Sequence, residues 1–108
     1  MTITEYQEKA MRTKNNDLTR DQQLHDGVLG LCGEAGEVSD MLKKHLFQGH
    51  DFKKDDLINE LGAVMWYIAL ICESQHLSLN GIMQRNIDKL EKRYPQGFSS
   101  EASINRVD

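Results

Sequence analysis

Apolar residues recur at three- and four-residue intervals along most of the chain, and four amphipathic helices account for them. Ile3, Tyr6, Ala10 and Met11 line the first, and Thr2 with Glu5 forms a T-x-x-E capping box at its start. The polar stretch 13–20 reads as a loop. Thr19 and Gln22 then form a second box, T-x-x-Q, opening a helix of about 25 residues that ends near Phe47. Leu24, Val28, Leu31, Ala35, Val38 and Leu42 keep the spacing through it, and Gln48-Gly49-His50-Asp51 breaks it. Asp55 and Asp56 suit the first turn of a third helix, where the helix dipole favours negative charge. That helix should reach about His76 and be central, because Leu61–Cys72 is apolar on all sides. Ser78 caps a fourth helix whose core face is Leu79, Met83, Ile87, Leu90 and Tyr94, and Pro95-Gln96-Gly97 ends it. With no convincing strand, the pattern predicts an all-α fold resembling a four-helix bundle over residues 1–98, followed by a polar tail at 99–108.

Composition narrows the function classes. Apolar residues make up 39% of the 108, too many for a disordered chain, and charged residues 28%. The net charge of −4 argues against a nucleic-acid binder that works by bulk positive charge. The N-terminal MTITEYQEKAM has an acid where a signal peptide is basic and then apolar, so no signal peptide is expected. The uncharged apolar run Leu61–Cys72 has 12 residues, against the roughly 20 of a membrane-spanning helix, so no membrane partner is expected. Cys32 and Cys72 have no metal-type spacing and read as reduced thiols of a cytoplasmic protein, with one long disulfide as the alternative. A chain this short buries a limited core, so self-association is expected.

Two features of the pattern are costly. Gly27, Gly30, Gly33 and Gly36 recur every third residue within the second helix. Each interior glycine costs roughly 1 kcal/mol relative to alanine, about 4 kcal/mol in all. Close approach of another helix or of a ligand would offset it. The second feature is a set of acids on apolar faces. At about 100° per residue from Glu34, Val38, Leu31 and Leu42 fall at about 40°, 60° and 80°, and Glu37 at about −60°. Glu34 therefore lies inside the apolar arc and Glu37 at its border. On the third helix Glu60 shares a stripe with Leu57, Val64 and Ile71. Inward carboxylates are costly unless paired. Either a hard divalent cation such as Mg²⁺ gathers them, or they form a protonated, hydrogen-bonded cluster. On the fourth helix Asn86, Lys89 and Arg93 form a polar stripe. It is either a solvated face or a clamp for an anion such as a phosphate chain.

Three segments carry a family resemblance: GLCGEAGEVSDMLKKHLFQGH, NELGAVMWYIA and NIDKLEKRYPQGF. From about Leu29 to Phe98 the chain resembles the MazG-like nucleoside triphosphate pyrophosphohydrolases, an all-α superfamily. The signature is E-x-x-E on one helix and E-x-x-D on the next, with a RYPxGF ending. The resemblance implies hydrolysis of a (d)NTP between the α and β phosphorus, giving a monophosphate and pyrophosphate. It implies Mg²⁺, or Mn²⁺ in its place, held by Glu34, Glu37 and Glu60. It implies that Asn86, Lys89 and Arg93 lie near the nucleotide, and that the working unit is a homodimer or homotetramer. Trp66 and Tyr67 could stack on a base, although each lies in an apolar run, where a core role is the commoner one.

The resemblance fails at one position. The fourth acid would stand at 63, and this chain has Ala63: NELGA replaces NELGD. A milder departure is Gly33, where some members carry another glutamate. Losing one carboxylate of four implies weaker metal binding and slower hydrolysis. Ala63 fits an engineered inactivating change, a natural member that binds nucleotide without turnover, or a site completed by Asp40, a water or an acid of a partner subunit. Asp40 falls at about 240° from Glu34 and so faces elsewhere. The competing functions are thus an Mg²⁺-dependent hydrolase, a non-catalytic nucleotide-binding or interaction module, and a purely structural helical oligomer.

Overall fold

A computed structural model describes residues 1–107, and its regular structure is helical, as the periodicity predicts. The elements are α1 (Ile3–Ala10), a 3-10 turn (Met11–Thr13), α2 (Arg20–Gln48), α3 (Lys54–Ser74), α4 (Leu79–Arg93) and a short α5 (Ser100–Ile104). Both capping boxes form. Glu5 N–H donates to Thr2 Oγ1 at 3.1 Å, and Gln22 N–H donates to Thr19 Oγ1 at 3.2 Å. The reciprocal bonds, Thr2 N–H to Glu5 Oε1 and Thr19 N–H to Gln22 Oε1, close each box. Gly49 ends α2 in the left-handed region at φ 74°, where a side chain is disfavoured. Ser78 caps α4 through Gly81 N–H. Ser99 caps α5, which interrupts the stretch expected as a polar tail.

The backbone of the fold is the hairpin of α2 and α3. Two glycines of α2 explain how closely they pack. A Cβ on Gly27 would lie 2.6 Å from Ile71 Cγ1, and one on Gly30 would overlap the Tyr67 ring. Gly33 and Gly36 face open space, so close helix approach accounts for half of the glycine repeat only. Beside this hairpin, Met11, Ala69 and Leu70 form the buried cluster, with Tyr6, Ala10, Trp66 and Tyr67 packed on it. Trp66 Nε1 donates to Ala10 O at 3.0 Å and Thr13 Oγ1 at 2.8 Å, fastening the N-terminal segment to α3. Gln7 clamps the turn between α3 and α4: its Oε1 accepts from Leu79 N–H at 2.8 Å and its Nε2 donates to Leu77 O at 3.0 Å.

The core closes at one end of the molecule. The C-terminal half of α3 is buried at Ala69, Leu70 and Cys72. Its N-terminal half is not central within one chain, because α1 and the start of α4 cover only the other end. Ile58 and Leu61 are 63% and 48% exposed. On α4 Leu79 is buried, while Ile87 and Leu90 of the expected core face are exposed. The radius of gyration is 17.2 Å, against ~13 Å for a compact domain of this length. By length and composition α3 is apolar enough to cross a membrane, with a mean hydropathy of 1.3 over its best window. It lies along α2 and carries Glu60 on the face turned to that helix. Cys32 is exposed, Cys72 is buried, and both are free thiols.

Candidate functional site

The glycine contacts fix the antiparallel register of α2 and α3. Gly27 lies opposite Ile71 and Gly30 opposite Tyr67. Continued along the hairpin, this register sets Glu34 level with Ala63, Glu37 level with Glu60, and Met41 level with Asp56. Gly27, Gly30, Glu34, Glu37 and Met41 alternate three and four residues apart, as do Asp56, Glu60, Ala63 and Tyr67. These are the inner positions of two paired helices. Acids thus occupy seam positions that apolar residues would ordinarily fill.

Glu34 and Glu60 are both half-buried and their carboxyl groups meet across the seam, whereas Glu37 is exposed at its edge. The contact with Glu34 holds the Glu60 carboxyl above the usual carboxylate range. Burial and the charges of Glu34, Glu37 and Asp56 push it the same way. Glu60 Oε2 is shielded from solvent and has no hydrogen-bond donor. An ionised carboxylate accepts only, so a second carboxylate cannot satisfy it without a proton. A cation can. That orphaned oxygen and an all-oxygen donor set suit a hard divalent ion. Among the described residues no three His, Cys, Asp or Glu side chains are already gathered at one point to hold a metal. The structure therefore presents a carboxylate pair with two further acids on the same seam.

Ala63 is half-buried on that seam. Asp40 is not its replacement. Its carboxylate accepts from Lys44 Nζ at 2.7 Å and lies 3.5 Å from Lys43 Nζ, and the Lys44 hydrogen bond holds its pKa down. Asp56 was legible in the sequence only as an acid at a helix start. Its position four residues before Glu60 was the available signal.

Asn86 and Lys89 are exposed on α4, and Arg93 is half-buried at its end. The RYPQGF segment folds into a hook after them. The Arg93 guanidinium lies 6.0 Å from the Tyr94 ring centroid, and the Tyr94 and Phe98 rings meet at 5.6 Å. Gly97 reverses the chain at φ 87°. Trp66 and Tyr67 pack edge to face at 5.2 Å, against the core cluster and, for Tyr67, over Gly30. Both are structural in this arrangement.

Comparison with known proteins fits this geometry. The profile of the MazG nucleotide pyrophosphohydrolase domain matches residues 22–98, which takes in all of α3 and α4, nearly all of α2, and the hook. The chain is also similar to the "Gene 37 protein" of Mycobacterium phage L5. The two are 38% identical over 83 residues, which cover 73% of each protein. No solved structure matches it significantly. The chain belongs to the MazG nucleotide pyrophosphohydrolase family.

Proposed function

We propose that the protein is a divalent-metal-dependent nucleoside triphosphate pyrophosphohydrolase, converting a (d)NTP to the (d)NMP and pyrophosphate, with turnover impaired by Ala63. The observation that carries this is the Glu34–Glu60 carboxyl pair with its undonated, shielded Oε2. The metal would be Mg²⁺, or Mn²⁺ in its place, and Glu34, Glu37 and Glu60 would hold it. When bound, such an ion supplies Lewis-acid polarisation of a phosphate and a lowered pKa for water. The protein's own part is to aim carboxylates along one seam and to keep them partly shielded, so that they bind a cation more strongly than solvated acids do. Asn86, Lys89 and Arg93 would hold the phosphate chain by charge-assisted hydrogen bonds.

The working unit in this proposal is a cytoplasmic homodimer or homotetramer, with neither nucleic acid nor membrane as partner. What supports the oligomer is the open shape together with exposed Leu46, Phe47, Ile58, Leu61 and Met65 on the unclosed half of the hairpin. A second copy would complete the core there.

Ala63 favours one other reading, a non-catalytic nucleotide-binding module on the same helices. Pyrophosphate release decides between them, measured on a panel of NTPs and dNTPs with Mg²⁺ for this chain and for Ala63→Asp. Restored carboxylate charge should raise turnover by at least tenfold. An Ala63→Asp protein that binds Mg²⁺ yet stays inert on the whole panel would remove the enzyme reading.

A further inference from the structure

Helix α4 is an arm seated at one end only. Leu79 is buried and Met83 half-buried where the helix packs on α1 and α3. Beyond them residues 84–92 are all exposed, although Ile87 and Leu90 among them are apolar. Most helical stability in proteins comes from packing an apolar face, and a helix this short is marginal in water without it. The arm is also held off its own hairpin. Gln7 clamps the turn before it through Leu77 O and Leu79 N–H, which fixes the direction in which α4 leaves. Relative to Asn86, Arg93 and Lys89 fall at about −20° and −60° around α4, and Leu90 and Ile87 at about 40° and 100°. The polar stripe and the uncovered apolar stripe are therefore adjacent, and whatever covers the second lies beside the first.

The open half of the hairpin is the complement of that arm. The charges that act on the Glu60 carboxyl are those of Glu34, Glu37 and Asp56, and no cation of α4 is among them. Ile58 and Leu61, on either side of Glu60 in the chain, are exposed, as are Leu42 and Leu46 on α2. The seam thus has acids and uncovered apolar neighbours but no cation from α4. The arm has Arg85, Lys89, Lys92 and Arg93 against Asp88 and Glu91, with an uncovered apolar stripe beside them. A seam of acids repels a triphosphate, so a site there needs the arm's cations as well as a metal. Each chain carries one arm and one open half. A two-fold exchange between two copies covers both and leaves neither over, as a closed symmetric pair requires.

We propose that the nucleotide site is shared between two copies of the chain: α4 of one copy lies across the open half of the other copy's α2–α3 hairpin and brings Asn86, Lys89 and Arg93 to the acids of that seam. One copy supplies Glu34 and Glu60, and the other supplies the phosphate clamp. The inference rests on the proposed function and adds to it that neither copy holds a whole site.

Two variants of the full chain, each damaged in one half of the site, test it. Glu60→Gln alters the seam and leaves the arm intact, and Asn86→Ala/Lys89→Ala, at two exposed positions, does the reverse. Folding of each is checked by circular dichroism. The two are co-expressed with different tags, and the mixed pair is isolated by capture on both. Binding of a panel of α,β-methylene nucleoside triphosphates with Mg²⁺ is then measured by calorimetry; if only Ala63→Asp binds them, both variants are made in that background. Each variant alone should bind at least tenfold more weakly than its parent. The mixed pair should recover the parent's affinity at half of its sites, because one of its two sites receives both intact halves. A mixed pair as weak as either variant would put the whole site within one copy and overturn the inference, leaving the proposed function standing. Failure to capture a mixed pair, or a variant that binds like its parent, would overturn it as well. Absence of nucleotide binding by both the chain and Ala63→Asp would remove the proposed function, and the shared site with it.

Discussion

Replacing single glycines of α2 by alanine should divide the helix into a packed half and an open half. The propensity gain is the same everywhere, about 1 kcal/mol per glycine in favour of alanine. At Gly33 no atom lies within 4 Å of the added Cβ, so the gain stands alone. At Gly30 the Cβ would overlap the Tyr67 ring, which also packs on the core cluster and cannot leave without opening it. Overpacking of that kind costs about 1–3 kcal/mol. Gly30→Ala should therefore be destabilised by up to about 2 kcal/mol, and Gly33→Ala stabilised by about 1 kcal/mol. A separation of about 2 kcal/mol corresponds to roughly 8–16 °C between their melting temperatures in a domain of this size. Thermal melts at one fixed protein concentration, followed by circular dichroism, read the difference. If Gly30→Ala melts with or above Gly33→Ala, the close approach of α2 and α3 at Tyr67 is wrong, and so is the register that levels Glu37 with Glu60. If Gly33→Ala is the one that loses stability, and its melting becomes more dependent on concentration, that face is covered by another copy of the chain.

Other outcomes follow from single contacts. Gln7→Ala removes both bonds that clamp the α3–α4 turn and leaves Leu79 N–H, in a buried residue, undonated, so urea unfolding should show a loss of about 1–3 kcal/mol; a change under 0.3 kcal/mol would refute the clamp. A thiol reagent should label the exposed Cys32 rapidly and Cys72 only as the protein unfolds; two equally fast thiols would contradict the buried end of α3. Burial pushes the Cys72 thiol up, so the folded state holds its proton to higher pH than the unfolded chain does. Its contribution to stability should be flat below the ordinary thiol pKa of about 8.5 and fall as pH rises above it, with Cys72→Ala removing that slope. Trp66→Phe deletes two hydrogen bonds to the N-terminal segment and should raise amide exchange in α1 before any other element; unchanged exchange there would show that apolar packing alone docks the segment.

Local chemistry was readable from the sequence because its partners are near in the chain. Thr2, Thr19 and Ser78 each accept from a backbone N–H three residues on, so their caps follow from residue type and spacing. The wheel placed Glu34 within the apolar arc and Glu37 at its border, and the structure shows the first half-buried and the second exposed. What spacing could not give is which apolar residues a single chain covers. Ile58 and Leu61 are as apolar as Ala69 and Leu70, but only the latter lie under α1 and the 3-10 turn. Nor could spacing divide the glycine repeat, because the difference between Gly30 and Gly33 lies in a ring on another helix. Asp56 was hidden by ambiguity of a different kind. An acid in the first turn is explained by the helix dipole, and only the register with α2 shows that one of the two neighbouring acids also faces the seam.

The placement of Trp66 makes the protein its own optical instrument. It is the single tryptophan of the chain. Its indole N–H is held by Ala10 and Thr13, its ring meets the edge of Tyr67, and it stands one helical turn from Ala63. Emission from this one fluorophore therefore senses two events with no label added. Detachment of the N-terminal segment would hydrate the indole and shift its spectrum to longer wavelength. A charge introduced at 63 would change the electric field at the indole and so alter its emission while the N-terminal segment stays docked. A core aromatic thereby becomes a reporter of both the assembly of the fold and the state of its acidic seam.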